Sequence, residues 1–270
     1  MRLRQATLLR VFWRCLFLQA AWNRRGMQNL GFAYAIDPAL RALYADPVAR
    51  EEALQRHLGF FNCHPYMAAA ILGGAIHHEE KVAAGQEPGA APLTYKATLQ
   101  GPLAAVGDGF FWTALRPFFG AVAAVGALTI GWPAVVAALL AYNLIHASIR
   151  WGLFRAGYEK GDGVVADIAR LALPRLADRL RLLGAVLCGA AAGLLALAAV
   201  GGQLAVSGGT AGGPLAGAVG AAGAAAVALG AALGYLALAR GVPLFPVVYA
   251  GAAAAAVAAM ALGGRWNGGS

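Results

Sequence analysis

Two groups of polar and helix-breaking residues interrupt otherwise apolar sequence, and they define the chemistry open to this chain. Phe60-Phe61-Asn62-Cys63-His64-Pro65 opens a short apolar run that closes at His77-His78-Glu79-Glu80. Gly101-Pro102-Leu103-Ala104-Ala105-Val106-Gly107-Asp108 opens a second, which ends at Trp112 and Arg116-Pro117. Amides, imidazoles and carboxylates are costly in lipid unless they line a cavity, face water or meet a partner. Interrupted helices that gather such groups are how transporters hold polar substrates inside a bilayer. The residues singled out are Gln28, Asn62, His64, Glu79, Glu80 and Asp108.

Covalent chemistry has little support. The five histidines are His57, His64, His77, His78 and His146, and none forms an HExxH pair, in which two imidazoles share one helix face. His77 and His78 are adjacent and point about 100° apart on a helix. Gly107-Asp108-Gly109 is too short for a phosphate loop, and no nucleophile elbow or dinucleotide fingerprint stands out. The three cysteines, Cys15, Cys63 and Cys188, form no CxxC pair and suggest no disulfide framework. No catalytic residue, metal or cofactor is therefore expected. A membrane metalloenzyme using His64, His77, His78 and Glu79 is the minor alternative.

Composition sets the class. The chain has 270 residues, 60% hydrophobic and 12% charged. Its mean hydropathy of +0.63 lies well above that of a soluble domain. The net charge of +9 fits arginines at cytoplasmic membrane edges and anionic lipid better than a nucleic-acid partner. All 12 acidic residues precede position 179. The chain divides accordingly into 1–181, a motif-bearing core region with interfacial helices and broken membrane segments, and 182–270, an apolar transmembrane helical region. The start carries Arg2, Arg4, Arg10 and Arg14, and no cleavable signal peptide is evident.

The elements follow from periodicity and punctuation. Residues 7–22 predict an amphipathic interfacial helix, with Leu8, Phe12, Leu16, Leu9, Trp13 and Phe17 opposite Arg10 and Arg14. Asp37-Pro38 and Asp46-Pro47 each offer an N-cap carboxylate and proline at N1, so each predicts a helix start. The second such helix runs to about Phe61 and lies outside the hydrocarbon. Pro65 to Ile76 spans roughly 18 Å as a helix, short of a hydrocarbon core of about 30 Å, so a re-entrant or half helix is expected. Ala83 to Pro92 is a loop. Thr94 to Trp112 is again interrupted. Phe118 to Ile149 is one kinked helix or a hairpin of two. Residues 151–181 read as basic and loop-like. Spans near 182–206, 214–239 and 243–262 follow, with arginine ends cytoplasmic and the C-terminus outside. The fold class is an all-α integral membrane protein with amphipathic N-terminal helices, two broken or re-entrant segments and several transmembrane helices.

These motifs resemble those of the IID membrane component of the mannose/fructose/sorbose family of bacterial phosphotransferase system (PTS) sugar transporters. Trp22-Asn23 with Met27-Gln28-Asn29-Leu30-Gly31-Phe32 is similar to the family's N-terminal motif. Arg56-His57-Leu58-Gly59-Phe60-Phe61-Asn62-Cys63-His64-Pro65 is similar to its helix-to-proline motif, with Cys63 in place of the usual threonine. Gly101 to Asp108, with Phe111-Trp112 and Leu115-Arg116-Pro117, resembles its central motif. Gly241-Val242-Pro243 resembles its C-terminal hairpin more loosely. His77-His78-Glu79-Glu80 stands where the family usually has an acidic run, and the second half of the chain is simplified.

The resemblance implies a multi-pass protein of the bacterial cytoplasmic membrane that pairs with a IIC subunit, as a trimer of pairs. The pair translocates a hexose-type sugar, which partner IIA and IIB proteins phosphorylate on the cytoplasmic side. The subunit itself is non-catalytic. A non-transporting scaffold or regulatory protein of a PTS-like system is the alternative. Within this frame Asn62 caps free backbone N–H groups or bonds a sugar hydroxyl. His64 reads as a structural hydrogen-bond partner. Glu79 and Glu80 contact vicinal hydroxyls or form a solvated helix end beside Lys81. Asp108 finds its donors in the sugar, a freed helix N-terminus or Arg116. Gln28 and Asn29 line the cavity or satisfy backbone at the bend after Gly26.

Overall fold

The computed structural model describes residues 2–206, with side chains as far as Gly193, and beyond them Ala232, Leu236 and Arg240. The spans expected near 214–239 and 243–262, the 207–213 loop, Gly241-Val242-Pro243 and the placement of the C-terminus lie outside the described residues. The described residues are helical, joined by turns and two isolated bridges, Asn23 with Met27 and Met27 with Phe61. Two compact units are formed, one from residues 1–110 and 143–174, the other from 111–142 and 175 onward.

In the first unit, α1 (Gln5–Cys15) is shorter than its hydrophobic pattern suggests, and turns carry the chain from Leu16 to Ala21. Its apolar residues divide between two faces. Leu8, Val11 and Cys15 are buried, while Leu9 and Trp13 face outward, as do Leu16 and Phe17 in the turns that follow. Phe12 packs edge-on against Trp151 at 4.8 Å.

The helix α2 (Asn29–Leu43) runs straight through Asp37-Pro38, so this pair starts no helix. Asp37 is held instead by Arg14 at 3.1 Å and Arg41 at 2.9 Å. Asp46 behaves as expected. Its carboxylate accepts from the Val48 and Ala49 amides and opens α3 (Pro47–His57), which stops short of Phe61.

The helix α4 (Ala68–Ala83) begins later and ends later than the expected half helix, so His77-His78-Glu79-Glu80 lies within it. Sixteen residues cover about 24 Å. Eleven of the sixteen residues of α4 are buried, and its small residues permit close backbone approach. A Cβ on Gly73 would meet the Phe154 carbonyl oxygen at 2.1 Å, and one on Gly157 would meet the Ala70 carbonyl oxygen at 2.2 Å. The two glycines are therefore where α4 and the latter part of α7 (Trp132–Lys160) cross.

The second expected break is milder still. The helix α5 (Ala91–Gly107) continues past Pro102, then passes through wider π-helical turns at Asp108–Leu115 into α6 (Arg116–Thr129). Ala91–Thr129 and Trp132–Gly193 are long and apolar enough to cross a membrane.

Phe118 to Ile149 resolves as two helices, and the stretch to Tyr142 lies in the second unit. Ile130 and Gly131, the latter at φ +95°, separate α6 from α7. A Cβ on Gly126 would meet the Ala134 Cβ at 2.6 Å, and Phe119 lies 6.0 Å from Tyr142, so the segments pack against each other as a hairpin.

The 151–181 stretch is helical rather than loop-like. A 3-10 turn (Gly161–Gly163), α8 (Val164–Arg170) and α9 (Leu173–Val206) follow α7. Left-handed backbone at Gly161 and Ala172 turns the chain between them. The basic residues there read as surface charge on helices, several paired along their own helix, as Arg155 is with Glu159 at 2.7 Å.

Gly73→Leu places a branched side chain where α7 backbone sits. Overpacking of this kind costs about 1–3 kcal/mol or more. Thermal unfolding of the purified variant in detergent is expected to show a clearly lowered midpoint, whereas Gly120→Leu, where a Cβ would meet nothing within 4 Å, leaves it near wild type.

Candidate functional site

The first two sequence motifs are hydrogen-bonded to each other. Met27 adopts φ 56°, and the backbones of Asn23 and Met27 bond reciprocally at 2.9 and 3.0 Å. The Asn23 side chain accepts from the Gly26 amide at 2.8 Å and donates to Asn29 Oδ1 at 2.9 Å. Asn29 in turn donates to the Leu58 carbonyl at 2.6 Å. The Gln28 amide N–H donates to the Phe61 carbonyl at 2.9 Å. Its buried side chain donates to the Cys63 carbonyl at 2.8 Å and accepts from the Cys63 N–H at 3.0 Å. Gln28 thus satisfies backbone on the segment before Pro65, while Asn29 serves both that segment and its own bend, where its Oδ1 accepts from the Leu30 N–H at 2.8 Å.

That segment also meets α5. The Asn62 backbone N–H donates to Gln100 Oε1 at 3.1 Å, and the Asn62 residue is exposed. His64 is buried, and its Nδ1 accepts from the Tyr66 N–H at 3.2 Å. A Cβ on Gly107 would meet the His64 Cβ at 2.5 Å, so His64 sits directly on the turn that precedes Asp108. Asp108 is exposed. Gln28, Asn62, His64 and Asp108 therefore share one region.

Glu79 and Glu80 lie elsewhere. Glu79 is eleven residues into α4, about 16 Å along the axis from its start. It is fully buried. Tyr44 donates to its Oε2 at 2.6 Å, His57 Nε2 to its Oε1 at 2.9 Å, and Arg56 reaches both oxygens at 3.4 and 3.5 Å. A carboxylate only accepts, so His57 carries its proton on Nε2, and Nδ1 is left to accept from Lys96 Nζ at 3.4 Å. Lys96 also lies over the Phe32 ring at 4.1 Å. Burial holds the His57 imidazole down at about 4, with the Glu79 hydrogen bond opposing and Lys96 reinforcing the shift. Burial, then the bond to Glu79, pushes the Tyr44 phenol up. Glu80 accepts from Tyr158 Oη at 2.7 Å and from the Leu3 N–H at 2.9 Å, tying the N-terminal segment to α7.

The histidines take separate partners. His77 Nδ1 meets the Tyr158 carbonyl at 2.9 Å, and His78 Nδ1 meets Glu87 at 2.7 Å. Among the described residues no cluster of three or more His, Cys, Asp or Glu is arranged for a metal. Tyr44, His57, Lys96 and Gln100 were not among the expected site residues. Lys96 carried the visible signal: a lone cation in an apolar segment needs a buried partner.

An all-helical fold with long apolar runs, carrying polar groups at helix turns within them, defines the class as a membrane protein. Residues 2–196 match the family described as PTS system mannose/fructose/sorbose family IID component. The mannose-specific EIID component of Escherichia coli (strain K12) is 37% identical over 191 residues, 70% of this chain and 68% of that protein. The fructose permease IID component of Bacillus subtilis (strain 168) is 35% identical over 192 residues, 70% of this chain and 69% of that one. A cryoEM structure of the mannose transporter ManYZ in complex with microcin E492 is similar at TM-score 0.57 and 37% identity, over 71% of this chain and 70% of that one. The chain belongs to the IID component family of the mannose/fructose/sorbose phosphotransferase systems, and is a permease subunit.

His57 binds its proton more weakly when folded, at about 4 against an ordinary 6.5. Its neutral form contributes stability fully above pH 6.5, and that contribution is lost as pH falls from 6.5 toward 4. Unfolding in detergent between pH 7 and 4.5 is expected to show stability declining by up to about 1.4 kcal/mol per pH unit from this group. His57→Asn, which keeps a donor for Glu79 and does not titrate, reduces the slope. An unchanged slope in the variant means that His57 does not report burial.

Proposed function

We propose that this chain pairs with a IIC-type subunit in the bacterial inner membrane, as a multi-pass partner in a trimer of such pairs. Together they carry a hexose-type sugar inward, and IIA and IIB proteins phosphorylate it on the cytoplasmic side. The chain performs no covalent step. The observation that carries this reading is the family match over residues 2–196, which includes every polar group described above. Support comes also from the likeness to a solved mannose transporter.

Within this reading the six polar residues divide by role. Asp108 and Asn62 are exposed, one beside and one within the segment held by Gln28 and His64, and they contact the sugar hydroxyls. An ionised carboxylate offers two oxygens to adjacent hydroxyls. Gln28 and His64 position that segment, while Glu79 and Glu80 fix α4 to its neighbours.

Cells lacking this chain but retaining IIC, IIA and IIB are expected to lose sugar uptake with phosphorylation. Retained uptake removes the transport reading and leaves a scaffold or regulator. Asp108→Asn is expected to lower uptake at least tenfold while copurification with IIC is unchanged. Wild-type uptake kinetics in that variant remove Asp108 from the sugar path.

A further inference from the structure

Gln100 stands in the apolar, membrane-length stretch Ala91–Thr129, and its amide is only half used. The Asn62 backbone N–H can only donate, so it fixes which way the amide lies: Oε1 faces Asn62 at 3.1 Å, and Nε2 faces away. Among the described residues Nε2 meets no acceptor. Gln100 is half-buried and Nε2 is not sealed off, so its N–H groups reach the surface. Gly101 beside it is exposed, and a Cβ there would meet nothing within 4 Å. Unmet amide donors are costly in hydrocarbon and are held where water or a ligand reaches them.

The neighbours of Gln100 indicate which ligand. Asn62 is exposed, and its side-chain amide bonds no described residue. The Asp108 carboxylate is exposed too, with no ion pair or hydrogen bond to a described residue. Gln100, Ala104 and Asp108 fall at i, i+4 and i+8 along α5 and the turn after it, one ridge of a helix, with only the Ala104 methyl between the two polar groups. The segment before Pro65 runs beside this ridge, with Asn62 at Gln100 and His64 at Gly107. Two amides and a carboxylate, all uncommitted within the described residues, therefore share one region of the first unit.

A sugar hydroxyl both donates and accepts. An ionised Asp108 takes hydroxyl protons and returns none, so the oxygens of a sugar held there need N–H donors. Asn62 supplies one amide. We infer that Gln100 is a further sugar contact: its Nε2 donates to a hydroxyl oxygen while its Oε1 holds the Asn62 backbone. This rests on the sugar-transport reading. It makes Gln100 a residue that selects among sugars, because a sugar lacking an oxygen at that place leaves the amide unmet.

Uptake of D-mannose, D-fructose and L-sorbose, the sugars in the family's description, is measured in cells that also carry IIC, IIA and IIB. In Gln100→Glu the carboxylate still accepts from the Asn62 N–H but has no N–H to give. Its KM for the transported sugar is expected to rise at least about fivefold, the scale of one lost hydrogen bond, with copurification of IIC unchanged. A residue that only holds Asn62 would keep the wild-type KM in this variant, and that result overturns the inference. Gln100→Met removes both bonds without adding charge, and decides the matter if the new charge keeps Gln100→Glu out of the membrane. Its readout is a series of monodeoxy analogues of the transported sugar. One analogue is expected to lose affinity against the parent sugar in the wild type but not in Gln100→Met, where the contact it lacks is already gone. Equal losses for every analogue in both proteins overturn the inference. So does loss of IIC copurification in Gln100→Met, which gives the amide to the partner subunit. Wild-type uptake of none of the three sugars overturns the transport reading and this inference with it, whereas wild-type uptake with either failure above overturns this inference alone.

Discussion

A carboxylate taken wholly out of water must be surrounded by donors, and in this chain that demand falls on Glu79. Its donors come from the end of α2 through Tyr44 and from the last turn of α3 through Arg56 and His57. Lys96 on α5 completes the chain through His57. One buried group thereby fixes four elements at once. Networks of this kind are seldom better for stability than apolar packing of equal volume, but removing one member strands the rest. Its contribution is to allow one arrangement of α2, α3 and α5 around α4. The apolar packing of α4 acts beside it, with Ile71, Leu72 and Ile76 fully buried among the alanines and glycines of the helix.

The close crossing at Gly73 and Gly157 complements this. Lipid-facing apolar surface gains little from helix association, so contact between helices in membranes relies on backbone proximity and hydrogen bonds. Here α4 uses both: Gly73, His77 and Glu80 against α7, and Glu79 and His78 toward other neighbours. The polar residues that looked like the end of a short membrane segment are instead the fastening points of its second half.

The sequence was legible where a local rule acted alone. Asp46-Pro47 opened a helix because nothing competed for the Asp46 carboxylate. The identical pair Asp37-Pro38 did not, because Arg14 and Arg41 claim Asp37 and the helix carries on through the proline. The Gly131 break and the Ala83–Pro92 loop were readable from glycine and proline chemistry. The helical nature of 151–181 was not, since its glycines fall at helix junctions or tight crossings whose geometry is set by distant residues such as His77 and Ala70. For Gln28 and Asn29 the sequence left cavity lining and backbone satisfaction both open, and the backbone that Gln28 serves, at residue 63, is a long-range fact. The role of Lys96 depends on His57, 39 positions away, a separation no periodicity reports.

The way Gln28 holds the segment before Pro65 bears on how this region tolerates evolutionary drift. The amide reads only the main chain of residue 63, taking its N–H and giving to its C=O. The side chain at position 63 takes no part in either bond, so a cysteine serves there as well as any residue that leaves the main chain in place. Position 28 has no such latitude: a glutamate surrenders the donor, an asparagine falls one methylene short, and an apolar replacement abandons two buried main-chain groups. Constraint at the join is therefore carried by the residue that reaches across, while the residue it grips is free to change.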